Sequence, residues 1–446
     1  MTVILTKTKA EQALLQGFDG VAGALPGAPW MAAQRRKALG VLEAAGLPHR
    51  RIEEWKYTDL RAALKEAFPP AVAAGGKRAE APSSAALVAA IGPELAEIAA
   101  VRAIFRNGRF AGFAGSSTMP DGLSLASLAD ALAGPDDISL ARALAQQGDT
   151  ARAAVIAINT AYLSDGALIR VAAGATIALP IHLVFLNDAA EPLAVTTRNV
   201  IEIGAGAVVT IIESHVGRVE TARQANAVTQ LVIGEGATVQ HVKVLGQGRR
   251  AVHLGSSLAE IDASATYRAF EFAAGVGLVR NETTVTYRGS HARADVSGIT
   301  LGRERDHVDT TLTIDHAVPH CESRELFKYV LDGEARGVFQ GKVIVRPDAQ
   351  KSDGKQMAQA LMLSETAEFD SKPELEIYAD DVVCGHGSTV TEIDPELVFY
   401  CRSRGIPLEA ARALLIDSFI GEAIEKVDNA ELAAALAAIS RRWLVA

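Results

Sequence analysis

In the run Asp380-Asp381-Val-Val-Cys384-Gly-His386-Gly387, a thiol and an imidazole stand two residues apart between a strand-like segment and a glycine-rich turn. Residues at i and i+2 of an extended strand share a face, so Cys384 and His386 can reach one ion together. Thiolate and imidazole both ligate iron or zinc, and histidine replaces cysteine in some clusters. Packing is the competing reading, and it is the one that spacing alone favours. Two ligands leave a coordination sphere unfinished, which suits a transient or interfacial site. Cysteine counting sharpens this: the chain has only Cys321, Cys384 and Cys401 and no C-x-x-C pair, so it cannot by itself close a four-thiolate iron–sulfur or zinc site. Any cluster needs other ligands or another subunit. An odd, sparse set of thiols also argues against a disulfide framework and for reduced cysteines.

A second constellation, Asp315-His316-x-x-x-His320-Cys321, offers two imidazoles and a thiol. On a strand, residues 316 and 320 share a face while 321 points away. The three converge only if the chain bends near Pro319; a metal site and a structural set both remain open. His291, Asp306 and His307 could line a groove in a β-helix enzyme of acyltransferase or lyase type, a reading that requires turnover by the isolated chain. Other chemistry is missing. Gly337-Val-Phe-Gln-Gly341-Lys342-Val lacks P-loop spacing and its hydroxyl, no third glycine follows Gly204-Ala-Gly206 or Gly234-Glu-Gly236, and neither H-E-x-x-H nor G-x-S-x-G occurs. With 44 basic against 53 acidic side chains, a net charge of −9 and no basic run, nucleic acid is not an expected partner. There is no stretch of about 18 apolar residues and no apolar leader after a basic start, so a cytosolic protein without a membrane partner is expected.

These residues must be held by something. At 446 residues, with 49% hydrophobic but only 5% aromatic side chains, the chain exceeds what one core usually organises, and small aliphatic residues must build its interior. Residues 1–165 read as an N-terminal helical domain. It contains a hairpin at Asn107-Gly108, where both turn positions favour positive φ, and a surface linker near 69–84 that lacks bulky apolar residues. Trp55 and Tyr57 within it read as packing. Residues 166–393 carry short β-branched runs punctuated at Gly174-Ala175, Gly206-Ala207, Gly236-Ala237 and Ser264-Ala265. A period near 30 residues is that of a solenoid, in which a small corner residue lets the chain turn beneath the coil above; an irregular β-sandwich is the competing architecture. Residues 394–446 are helical again: Asp394-Pro395-Glu396 starts one helix, Gly405 stops it and Pro407 restarts the next. Leu408, Ala411, Leu415 and Phe419 line one face of that next helix, and Ile416, Ile420, Ala423, Ile424 and Val427 broaden it beyond a single contact surface. The breadth means either burial against the β unit or a second face for a partner.

The stretch from Lys328 to Ile420, with Gln340-Gly341-Lys342, Gln350-Lys351 and Asp380-Asp381-Val-Val-Cys384-Gly-His386-Gly387, closely resembles the SufB/SufD family of iron–sulfur cluster assembly proteins, as does the early Glu53-Glu-Trp-Lys-Tyr-Thr-Asp-Leu60. Within the family the signatures resemble the SufD branch more than the SufB branch. SufB itself would need its sulfur-accepting cysteine in the β region, and none lies between Ala167 and Val318. The resemblance implies a mainly β protein, with a right-handed parallel β-helix core between N-terminal and C-terminal helical domains. It implies pairing with SufB through the β-helices, or a homodimer of the isolated chain. It also implies a SufC ATPase on the C-terminal helices, with Arg404, Gly405, Ile406, Pro407 and Phe419 at the contact. His386, with Cys384 beside it, would ligate a transient iron–sulfur cluster shared with SufB. The chain would then be a non-catalytic scaffold subunit without a stable cofactor of its own, and ATP hydrolysis would reside in SufC, which accounts for the missing P-loop. Flavin binding and roles for Cys321 and Cys401 are not decided by the residues.

Overall fold

The computed structural model describes residues 6–72, 78–115, 119–134, 137–145, 153–217 and 220–445; residues 73–77 of the expected linker and the first five residues lie outside them. The strands, in chain order, begin with β1 (Val101–Arg106), β2 (Arg109–Gly115), β3 (Leu123–Ser127), β4 (Ala167–Val171), β5 (Ile181–Asn187) and β6 (Leu193–Ile203). Next come β7 (Val208–Gly217), β8 (Arg223–Ile233), β9 (Thr238–Gly246), β10 (Gly248–Ile261), β11 (Thr266–Ala274) and β12 (Val276–Tyr287). The last are β13 (Arg293–Gly302), β14 (His307–His316), β15 (Glu322–Leu331), β16 (Arg336–Val345), β17 (Asp353–Met362), β18 (Glu368–Ile377) and β19 (Val383–Glu392).

From β5 onward the odd strands stack in parallel into one sheet and the even strands into another, so each coil adds one rung to both. This is a parallel β-solenoid flanked by N-terminal and C-terminal helices. The hairpin is part of it: β1 pairs in parallel with β5, and β2 then closes that end of the sheet antiparallel to β1. Asn107 and Gly108 both have positive φ (50° and 77°), as the turn requires.

The solenoid reading succeeds for a specific reason. Gly174, Gly206, Gly236 and Ser264 all adopt left-handed φ, between 56° and 69°. The same corner continues at His291, His320 and Lys351, φ 60°, 60° and 62°, with successive corners 27 to 32 residues apart. The residue after each corner turns inward beneath its neighbours: Ala207, Ala237, Ala265, Ala292, Cys321 and Ser352 are all buried, and Ala175, at the first corner, is partly so. Cys321 is therefore one rung of an alanine ladder, a small side chain at a tight corner.

Inside, alternate residues such as Ile211, Val239, Val296, Phe339, Val343, Ala358 and Ala360 form one continuous core. Each large aliphatic side chain so buried contributes about 1.5–3 kcal/mol. The outer face of the odd-numbered sheet is covered by helices. Ile416, Ile420, Ala423 and Ile424 of the helix Leu408–Ile424, with Leu432 and Leu436 of the helix Ala430–Val445, pack with Val242, Phe270, Phe272, Ile299 and Val330. The broad apolar face of the helix Leu408–Ile424 is thus largely spent on its own solenoid. Among the described residues no helix is long and apolar enough to cross a membrane.

Candidate functional site

Stacking stops at β18 and β19. Among the described residues each has a strand partner on one side only, and this end of the coil is open. Residues of β19 pair with Gly354, Gln356 and Ala358 of β17, and because Ala358 and Ala360 lie in the core, Cys384, His386 and Ser388 are the inward set. The thiol and imidazole do share a face, and it is the face that looks into the solenoid at its open rim. Cys384 is half-buried against the core, whereas His386 is exposed. Burial, followed by the negative charge of Asp353, pushes the Cys384 thiol above its ordinary value despite an opposing backbone hydrogen bond from Gly354. The thiol is therefore protonated at neutral pH. A groove of about 850 Å³ passes this rim, bounded by Arg293, Arg324, Lys355 and His386 on the sheet and by Glu422 and Asp428 at the helix end.

The other signature residues hold this last coil in place. Lys351 is its corner: the Lys351 amide donates to the Asp381 carbonyl (2.6 Å), the Asp381 amide donates to Gln350 Oε1 (2.9 Å), and the Lys351 and Asp381 side chains form an ion pair. In Gln340-Gly341-Lys342, Gln340 points outward and donates to the Glu54 carbonyl and to Thr311 Oγ1 (both 3.2 Å), while Lys342 Nζ meets Glu376 at 3.0 Å. Gly341 points inward, where a Cβ would sit 2.2 Å from Gln356 Nε2.

The early motif docks on the same coils. Trp55 is buried, with the Arg280 guanidinium 3.8 Å from its ring centroid. Arg280 also donates to Asp309 (2.5 Å), Glu282 (2.6 Å) and the Glu54 carbonyl (2.8 Å). Thr58 donates to Asp309 (2.5 Å) and lies 2.9 Å from His307 Nε2. A hydroxyl has one proton, so His307 is the donor to Thr58, which fixes its Nε2–H tautomer. Burial holds His307 below its ordinary pKa. Lys372 of β18 completes the attachment by pairing with Glu53 at 2.8 Å.

The remaining sequence candidates separate. His316 faces inward and contacts Ser323 (3.1 Å), His320 is an exposed corner residue stacked on His291 (4.9 Å between centroids), and Cys321 belongs to the alanine ladder. His291 and His307 sit at opposite ends of β13, ten residues or about 33 Å of strand apart, so His291, Asp306 and His307 form no common groove. Among the described residues no group of three or more His, Cys, Asp or Glu side chains is arranged to hold a metal ion. His215 and His241 instead contact the buried Glu213 (3.2 and 2.8 Å). At the C-terminal helices, Arg404, Gly405, Ile406 and Pro407 lie between the helix Pro395–Ser403 and the helix Leu408–Ile424. Phe419 packs inward under Lys328, 4.4 Å from its ring. The exposed apolar side chains here are Leu397, Phe399, Tyr400, Leu408 and Leu414, with Phe399 75% exposed. The sequence reading missed Leu397, Phe399, Tyr400 and Leu414, since a helix pattern does not say which apolar side is left uncovered.

Comparisons agree with this architecture. Residues 185–419 match the family described as SUF system FeS cluster assembly, SufBD core domain, and residues 24–183 match the SufBD protein N-terminal region. The chain is 31% identical over 412 residues to an iron–sulfur cluster assembly SufBD family protein of Synechocystis, covering 90% of this chain and 88% of that one. It is 28% identical over 396 residues to the iron–sulfur cluster assembly protein SufD of Escherichia coli, covering 88% of each. A SufBD family protein of Mycobacterium tuberculosis is 32% identical over 206 residues, 44% of this chain and 52% of that one.

Proposed function

The chain belongs to the SufB/SufD family of iron–sulfur cluster assembly proteins, and from that premise we propose that it is a SufD-type scaffold subunit that builds nascent clusters jointly with a SufB partner. The observation that carries this reading is the open last coil with Cys384 and His386 on its inward face. Two unsatisfied edge strands there are a template for another chain's strands, and a site half-built on that edge is completed only when a partner arrives. Iron and sulfur are cargo in this reading; the chain holds no resident cofactor and performs no turnover alone.

His386 is the readier ligand. An exposed imidazole can offer a ring nitrogen directly, whereas the Cys384 thiol must first lose a proton that its surroundings retain. Ligation divided between two chains is easily opened, so a cluster can be passed on rather than kept. His386→Ala is expected to leave the complex with SufB and SufC assembled but to lower its iron content after anaerobic reconstitution by about tenfold or more, the scale reached when a ligand's support is lost. Normal iron in that variant removes His386 from the site.

The SufC ATPase is proposed to dock on the uncovered patch of Leu397, Phe399, Tyr400 and Leu408, headed by Arg404 to Pro407. An aromatic side chain as exposed as Phe399 is the anchor type that dominates interfaces, worth about 2 kcal/mol or more. Phe399→Asp should therefore release SufC in co-purification while far-UV circular dichroism stays unchanged. Retained SufC would move the contact elsewhere. Phe419, already packed against the sheet, is not the residue to test.

A further inference from the structure

Glu325, Gln356 and His386 occupy one inward column on three successive rungs, directly paired from β15 to β17 to β19. In the interior Val296 precedes them in the column and Ala358 follows Gln356 on the inward face of β17, while Ser323 is the polar neighbour of Glu325. Gln356 is 3% exposed, and neither its Nε2 nor its Oε1 has a hydrogen-bond partner among the described residues. A buried amide left wholly unpaired is rare in folded proteins and calls for a reason. Gly341 supplies part of it, since its bare Cα leaves the slot that the amide occupies; a Cβ there would lie 2.2 to 2.7 Å from the amide atoms. Adjacent rungs are about 4.8 Å apart, so the His386 position on the next rung lies within the length of a glutamine side chain.

We propose that Gln356 is a positioning residue for His386: its amide takes up one ring nitrogen of the imidazole and thereby aims the other at the cargo, with Gly341 keeping the slot open. An amide can accept from a ring N–H through Oε1 or donate through Nε2 to a bare ring nitrogen, and either bond fixes the tautomer. Metal-ligating histidines are ordinarily held in this way by an outer partner, and losing that partner costs about 10–100-fold in affinity. The inference rests on His386 being a ligand, and the experiment separates the two.

Ring-labelled [15N]histidine NMR of the cluster-free full chain, with His386 assigned through His386→Ala, reads the tautomer without any metal. The wild type is expected to show one dominant tautomer at His386, and Gln356→Leu a mixture, together with about 10–100-fold weaker iron uptake in the reconstituted complex. Gly341→Ala, which displaces the amide while leaving Gln356 in the chain, should shift the same resonances, and it serves if the leucine variant does not fold. Identical His386 ring shifts in wild type and in the folded variants overturn the positioning role. If those shifts are identical while His386→Ala still loses iron, the ligand reading survives alone. If the shifts change but His386→Ala loads iron normally, the contact is real and the ligand reading fails.

Discussion

Arg280→Ala is expected to destabilise the protein by about 3–5 kcal/mol, the cost of breaking a buried ion-pair network by removing one side of it. Arg280 is 1% exposed, and burial alone would disfavour its charge, but Asp309 and Glu282 reverse that and hold the guanidinium more basic than usual. Without it, the buried Asp309 and Glu282 carboxylates lose the cation they share, and Trp55 loses a cation–π contact worth about 2 kcal/mol when desolvated. The Glu54 carbonyl also loses a donor, so the segment Glu53–Asp59 should loosen from the solenoid. Chemical denaturation reads the first effect; protease cleavage near residue 56 in the native protein reads the second. Arg280→Lys should not restore stability, because a point charge cannot serve two carboxylates and a carbonyl in one fork. A loss below about 1 kcal/mol would show that the motif is held by packing and not by this network.

Glu325→Gln should stabilise the protein at neutral pH. Complete burial pushes the Glu325 carboxyl up to about 8 from its ordinary 4.5, and nearby Ser323 and Arg324 offset this only in part. The folded state therefore keeps a proton that the unfolded chain releases. Below pH 4.5 both states are protonated and nothing is lost; between about 4.5 and 8 stability falls as pH rises; above 8 the loss is complete. At pH 7 the difference amounts to about 3 kcal/mol, and glutamine, which cannot ionise, removes it. Urea titrations at pH 5 and pH 8 should show the two proteins converging at the lower pH and diverging at the higher. A wild type whose stability does not fall across that window would mean that Glu325 has found a partner. The column that ends at His386 thus includes a residue kept at a cost to stability, a pattern common at functional sites.

The fold was legible wherever a backbone constraint demanded a residue type. Left-handed corners favour glycine or another small residue, so Gly174, Gly206, Gly236 and Ser264 announced a solenoid. The pattern faded after Ser264 because His291, His320 and Lys351 adopt the same φ, at a cost of order 1 kcal/mol that the surrounding coil absorbs. Cys321, which next to His316 and His320 left a metal site or a structural set open, stands where other coils place alanine. Asn107-Gly108 was read correctly as a turn, but no local signal said that its hairpin would close the end of a sheet built from residues 60 and more positions later.

For the site, strand alternation placed Cys384 and His386 on one face, and cysteine counting required other ligands or another chain for any complete cluster; both follow from local geometry and stoichiometry, which a sequence carries in full. Which face that is, and that it opens at a rim, depends on where stacking ends, a property of all the coils together. The same holds for Gln356, whose neighbours Gly341 and His386 are 15 and 30 residues away, and for Phe399 and Phe419, two phenylalanines on successive helices of which the sheet covers only one. Periodicity, turns and ligand chemistry are properties of a residue and its near neighbours, so the sequence by itself determined them. Exposure, proton affinity and the choice of which apolar face meets a partner are set by distant segments brought into contact, and only the tertiary structure decided them.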